Sequence, residues 1–229
     1  EDEYNRALKA ERSPGSAIKP FVYTAAIDSG YTTTTIVVDE PVEYPGGDGK
    51  TWAPKNFNGK FLGPLRIRQA LEQSTNSVAV KLMQDLKPEK VMSYARKMGI
   101  TTLVDTGPRN DRGLALALGG LTRGVTPTEA VEVYISLAYA GAKVTPYFIL
   151  EVRDSDGVLL ESNVPKREMV LDERTAYIVT DMMRGAIYSP NGTAKRADIG
   201  RPAAGKTGTA DSNTDAWFVG FTPEMVAAV

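Results

Sequence analysis

The 229-residue chain is 42% apolar and 24% charged with a net charge of −1, which fits one globular domain, or one and a fraction, and leaves no basic footprint for nucleic acid. It has no histidine and no cysteine, so a Ser-His-Asp triad, a cysteine nucleophile, a disulfide framework and a zinc site of the usual kind are all excluded. No apolar run is long enough to span a bilayer, and any nucleophilic catalysis must use Ser or Thr with a Lys or carboxylate base.

Residues 1–15 are polar and read as irregular. The run Arg12-Ser13-Pro14-Gly15-Ser16-Ala17-Ile18-Lys19-Pro20-Phe21 then passes from a Pro-Gly turn into an apolar segment. This predicts a helix from Ser16 to about Ser29, stopped by Gly30. Helical neighbours three apart have Cβ atoms roughly 5–6 Å apart, so the Lys19 amine can reach the Ser16 hydroxyl. A neutral amine can take a serine proton, and burial can lower a lysine from ~10.4 far enough to supply one. Alone, the pairing is weak and reads as a helix start with one surface lysine.

Residues 30–63 are rich in Gly, Pro, Asn and Thr and predict a long loop with a short strand at Ile36-Val37-Val38. A loop of this length either lines a site or wraps the surface. Pro64 is expected to open a short helix through Leu65, Ile67, Ala70 and Leu71. It breaks at Ser74-Thr75-Asn76 and resumes with Val78, Val80 and Leu82. A helix follows from Pro88 to Met98, then an apolar, glycine-rich stretch from Gly113 to Leu121. Thr126-Pro127-Thr128-Glu129 is a strong helix start, with the helix continuing to Ala140. Val144 to Val152 and Val158 to Glu161 predict a hairpin around Asp154-Ser155-Asp156-Gly157. Asp172 caps a helix to about Ile187, and Ser189 to Thr193 form a turn. Ala203 to Thr209 and Ala216 to Phe221 read as strands joined by a polar loop at 211–214. Helices come first and strands last, which suggests an α+β domain with an antiparallel sheet. The ends read as cut from a longer protein.

Two further motifs carry chemistry. Ser74 and Asn76, at a break between helical segments, can face one cleft, where Asn76 offers a carbonyl and an amide and Ser74 can pass a proton. Asn76 can equally cap the second segment. Lys206-Thr207-Gly208-Thr209 lies on a predicted strand, where two hydroxyls and an ammonium suit a carboxylate ligand and the missing side chain of Gly208 lets a substrate backbone approach closely. The alternative is a strand edge with a glycine bulge and a blunting lysine.

Ser-x-x-Lys, Ser-x-Asn and Lys-Thr-Gly in that order form the set used by penicillin-binding proteins and serine β-lactamases. The chain resembles the transpeptidase domain of bifunctional (class A) penicillin-binding proteins. The likeness covers Arg12 to Tyr23, Pro54-Lys55-Asn56 through Asn76, Leu116 to Thr128, Gly192-Thr193-Ala194 and Gly205 to Pro223. It implies one partial transpeptidase domain over 1–229, truncated at both ends. A helical subdomain would span roughly 30–140, and a sheet part roughly 141–229 with the first helix.

The same resemblance implies that Ser16 attacks the bond between two terminal D-alanines of a peptidoglycan stem peptide. An acyl-enzyme forms, and an amine from a neighbouring stem resolves it. Lys19 would be the base, Ser74 the proton relay and Lys206 its partner. Asn76 would hold the substrate amide, Thr207 and Thr209 the terminal carboxylate with Gly208 between them, and the N–H groups of Ser16 and Thr209 the oxyanion. β-Lactams would acylate Ser16. No metal and no cofactor is implied. A glycosyltransferase domain and a membrane anchor would lie outside this chain, on the extracytoplasmic face of a bacterial membrane. A serine β-lactamase, a D,D-carboxypeptidase or a non-catalytic β-lactam-binding module stays open, although no Glu-x-x-Leu-Asn stretch of the class A β-lactamase kind occurs.

Overall fold

The computed structural model describes residues 3–46, 49–210 and 214–229. The part of the Gly46-to-Gly49 turn at 47–48 and most of the predicted loop at 211–214 lie outside the described residues. The fold is α+β, and every strand pair among the described residues is antiparallel.

The polar N-terminal stretch contains a short helix, α1 (Arg6–Lys9), capped by Asn5. The helix expected from Ser16 starts as a 3₁₀ turn, Gly15–Ile18, which runs directly into α2 (Lys19–Asp28). Pro20 is tolerated there because a first-turn N–H has no partner inside the helix. α2 is buried from Lys19 through Ile27 and packs against the helices at Asn76–Leu86, Pro88–Met98 and Glu173–Tyr188. A helix enclosed by other elements needs no polar face, which explains why its sequence lacks amphipathic spacing.

The long loop is more structured than its composition suggests. It holds β1 (Ile36–Asp39), β2 (Tyr44–Pro45) and β3 (Thr51–Trp52). Pro64 does not open a helix. It lies in β4 (Gly63–Arg66), opposite Val38 of β1, and α3 (Ile67–Glu72) begins only after Arg66. The residue before a proline is kept out of the right-handed helical region, and Gly63, at φ +74°, lies outside it, so no helix starts at Pro64, which pairs instead with Val38. α4 (Asn76–Leu86) and α5 (Pro88–Met98) follow, then a 3₁₀ turn at Leu114–Leu118 closed by Gly119. α6 (Pro127–Ala138) carries the expected Thr126–Glu129 capping box.

The expected strand from Val144 to Val152 is two separate strands. β5 (Ala142–Val144) pairs with β8 (Arg167–Met169), which the sequence pattern missed, while β6 (Glu151–Arg153) pairs with β7 (Leu159–Ser162). Pro146 falls between β5 and β6 and cannot donate to a ladder. α7 (Glu173–Tyr188) is capped by Asp172. β9 (Ala204–Thr209), β10 (Ala216–Phe221) and β11 (Val226–Ala228) form a three-stranded sheet in the order β11-β10-β9. Both the Gly15–Ile18 turn and α7 pack on β9.

Candidate active site

The site is assembled where the Gly15–Ile18 turn seats on β9. Gly15 has φ +51°, and a Cβ there would fall 2.3 Å from the Thr209 carbonyl oxygen. A Cβ on Gly208 would fall 2.2 Å from the Pro14 carbonyl oxygen. Two glycines thus let two backbones touch, and the space beside Gly208, expected to admit a substrate backbone, is taken by the chain's own turn. Three further contacts fix the turn. Trp217 Nε1 donates to Ser13 O at 3.0 Å, Ser13 Oγ to Gly119 O at 2.9 Å, and Tyr134 OH to Ala17 O at 3.0 Å. The Ser16 side chain is left partly exposed between neighbours that are buried.

Lys19 and Lys206 are both fully buried. Lys19 Nζ donates to Ser74 O at 2.6 Å, Asn76 Oδ1 at 2.7 Å and Ser74 Oγ at 3.2 Å. Lys206 Nζ donates to Ser74 Oγ at 2.8 Å and Thr207 O at 3.0 Å. The Ser74 hydroxyl therefore bridges two amines from opposite ends of the described chain. Ser74 takes an unusual backbone conformation to do so, with φ +57°. Such a conformation costs a non-glycine residue about 1–3 kcal/mol. Burial pulls the Lys19 amine well below the ordinary lysine range; the facing Lys206 adds to this and the Asp39 carboxylate opposes it. Burial lowers Lys206 to about 7. Two adjacent amines in a dry site cannot both stay charged at low cost.

Asn76 caps no turn with its side chain. Its Oδ1 faces Lys19 and its Nδ2 donates to Lys55 O at 2.7 Å. Thr207 donates to Thr193 Oγ1 at 3.2 Å, and Thr193 N donates to Glu72 O at 3.2 Å. Thr209, at the end of β9, is exposed. Lys206 is no edge-blunting lysine, since its side chain points into the interior.

Three residues of this region were not singled out from the sequence. Thr193 stands beside Thr207, in a Gly192-Thr193-Ala194 run whose Gly192 packs against the end of α7. Asn56 accepts from the Asn76 backbone N–H at 2.7 Å, and it donates to Asp39. Asn56 and Thr193 lie in stretches that carried the family likeness. Asp39 had no signal beyond its place after an apolar run.

A family model described as "Penicillin binding protein transpeptidase domain" matches residues 2–229. Penicillin-binding protein 1A of Aquifex aeolicus is 39% identical over 229 residues, covering 99% of this chain and 30% of that protein. The chain thus spans less than a third of that curated relative. Among solved structures, penicillin-binding protein 1A from Haemophilus influenzae superposes with a TM-score of 0.90 at 26% identity, covering 99% of this chain and 39% of that one. The D,D-transpeptidase domain of a peptidoglycan glycosyltransferase from Eggerthella lenta gives 0.79 at 26% identity, covering 98% and 61%. With a matching model over nearly its whole length and a hydroxyl shared by two buried lysines beside the Ser16 turn, this chain belongs to the penicillin-binding protein transpeptidase domain family.

Proposed function

We propose that the chain is the transpeptidase unit of a class A penicillin-binding protein. It would cross-link peptidoglycan stem peptides through a Ser16 acyl-enzyme and be acylated there by β-lactams. The observation that carries this reading is the Ser74 hydroxyl held between the Lys19 and Lys206 amines. Residues 1–229 act as one domain, its helical part at roughly 30–140. A glycosyltransferase domain and a membrane anchor lie outside these residues, and the site works on the extracytoplasmic face.

Lys19 suits the role of base. A neutral amine has two protons, and Ser74 O and Asn76 Oδ1 are acceptors at 2.6 and 2.7 Å. Satisfying both leaves the lone pair free for a hydroxyl proton. Ser16 Oγ attacks the carbonyl between the terminal D-alanines as its proton passes to Lys19. The oxyanion falls to the backbone N–H groups of Ser16 and Thr209, where one lost donor typically costs roughly 10²–10³ in rate. The carbon–nitrogen bond then breaks. Ser74 gives its proton to the departing D-alanine amine and is reprotonated from the lysine pair. An amine from a second stem attacks the ester and loses a proton to the same base, and Ser16 leaves as a hydroxyl. Asn76 holds the substrate amide. Thr207 and Thr209 bind the terminal carboxylate with Thr193 beside them, and Gly208 lets β9 carry the Ser16 turn.

Supplying a stem peptide ending in D-Ala-D-Ala together with an amine acceptor tests the reaction. The expected result is free D-alanine in step with a new amide bond. D-alanine without the amide would assign a D,D-carboxypeptidase. Rapid turnover of a labelled penicillin would assign a β-lactamase, and no label at all an inert module.

A further inference from the structure

Beneath the two lysines lies a second polar layer centred on Asp39. This residue ends β1 and is 1% exposed. Its carboxylate accepts from Asn56 Nδ2 at 2.9 and 3.0 Å, from Leu62 N at 2.9 Å and from the Ser77 hydroxyl. Every one of these donors is neutral. Buried carboxylates are costly unless a cation balances them; Asp39 favours the charged form of Lys19, while Lys81 of α4 is bonded to the flanking Val38 O and Glu40.

A chain of three hydrogen bonds joins the two groups. Asn56 donates to Asp39 through Nδ2. The Asn56 Oδ1 accepts from the Asn76 backbone N–H at 2.7 Å, and from Ser77 N at 3.4 Å. Asn76 Oδ1 accepts from Lys19 Nζ at 2.7 Å. Asn56 Nδ2 also donates to Lys60 O at 2.9 Å, which closes its own segment into a turn, and Asn76 Nδ2 donates to Lys55 O at 2.7 Å, which ties that segment to the start of α4.

We propose that Asp39 is a positioning residue for the Lys19 amine: it fixes Asn56, Asn56 fixes the first turn of α4, and Asn76 there presents its carbonyl oxygen to Nζ. Asp39 touches no substrate atom and acts through this chain and through its charge. The inference deepens the reading of Ser16 and Lys19 given above and takes its functional meaning from it. Facing Lys19 are the Lys206 amine from β9 and the Asp39 carboxyl group from β1. On α2 itself, burial and the Asp39 charge hold the Tyr23 phenol in its neutral form. Asp39 thus offsets part of the pressure that burial and Lys206 put on Lys19 to lose its proton. It keeps the amine reversibly protonated, as a group that must take and return a proton requires.

The test is the titration of Lys19 followed by ¹³C-ε-lysine NMR on the full chain, its resonance assigned by its loss in Lys19→Ala. In Asp39→Asn the Lys19 midpoint is expected to fall by about half a unit or more, since a balancing charge has been removed. The acid limb of penicillin acylation should move to lower pH with it. Should Asp39→Asn fail to fold, Asn56→Ala keeps the carboxylate but cuts the chain to Asn76. It should move the midpoint in the same direction, because the charged amine loses a firmly held acceptor. A merely structural Asp39 would lower the melting temperature and leave the midpoint in place, and that result overturns the proposal. If the wild-type chain takes no penicillin label, the functional reading fails, while the Lys19 midpoint still decides the role of Asp39.

Discussion

At the residue scale, the chemistry rests on two lysines made unlike ordinary surface lysines by burial. Lys19→Ala removes the proposed base and leaves Asn76 Oδ1 and Ser74 O short of their donor. We expect the rate of Ser16 labelling by penicillin to fall roughly 10²–10⁴-fold, the usual span for a lost general base. A fall of less than about threefold would remove Lys19 from that role. Spacing alone led to the expectation that Lys19 reaches Ser16, but the hydrogen bonds described for its amine run elsewhere. Lys19 spends its hydrogen bonds on Ser74 and Asn76, residues more than fifty positions away. The left-handed backbone of Ser74 was equally invisible, because a serine gives no hint of positive φ.

At the scale of elements, the decisive contact is between the Gly15–Ile18 turn and β9. Gly208→Ala puts a methyl group against the Pro14 carbonyl, and both sides of that contact are backbone. Neither can yield as a flexible side chain would, so the turn must lift from the strand. We expect a stability loss of about 1–3 kcal/mol together with labelling at least about tenfold slower, measured by thermal unfolding and penicillin acylation on the same preparation. Wild-type rates in that variant would mean that the seating of the turn on β9 does not matter for catalysis. The strong local signals, such as the Thr126–Glu129 box and the Asp172 cap, were readable because capping is a matter of adjacent residues. Pro64 was misread because its strand is defined by pairing with Val38, a long-range partner that no local pattern reveals. Asp39 and Asn56 were missed for the same reason, since their importance lies in a network drawn from β1, the following segment and α4.

At the scale of the whole molecule, burying two amines makes stability depend on pH. Lys206 titrates at about 7 when folded and at ~10.4 in an unfolded chain. Between these values the unfolded state holds the proton and the folded state does not, so stability rises with pH across the window. From pH 7 to 9 the wild-type chain should therefore gain about 2 kcal/mol relative to Lys206→Met, read from urea unfolding. Parallel pH curves for the two proteins would show that Lys206 is not desolvated as described. The α+β character was read from an order of helices first and strands last that the structure keeps only in part, since β1 to β4 precede α3 and α7 lies between β8 and β9. The division into a three-stranded sheet and several two-stranded ribbons was not legible, since strand pairing depends on contacts across the fold.

The account turns on Ser16 being the group that reacts. The most direct measurement is peptide mapping by mass spectrometry after exposure of the full chain to penicillin, with Ser74→Ala in parallel. The account predicts one covalent adduct, on the peptide containing Ser16, formed much more slowly in the variant. An adduct on Ser74 or elsewhere, or equal adduct formation in both proteins, would contradict it.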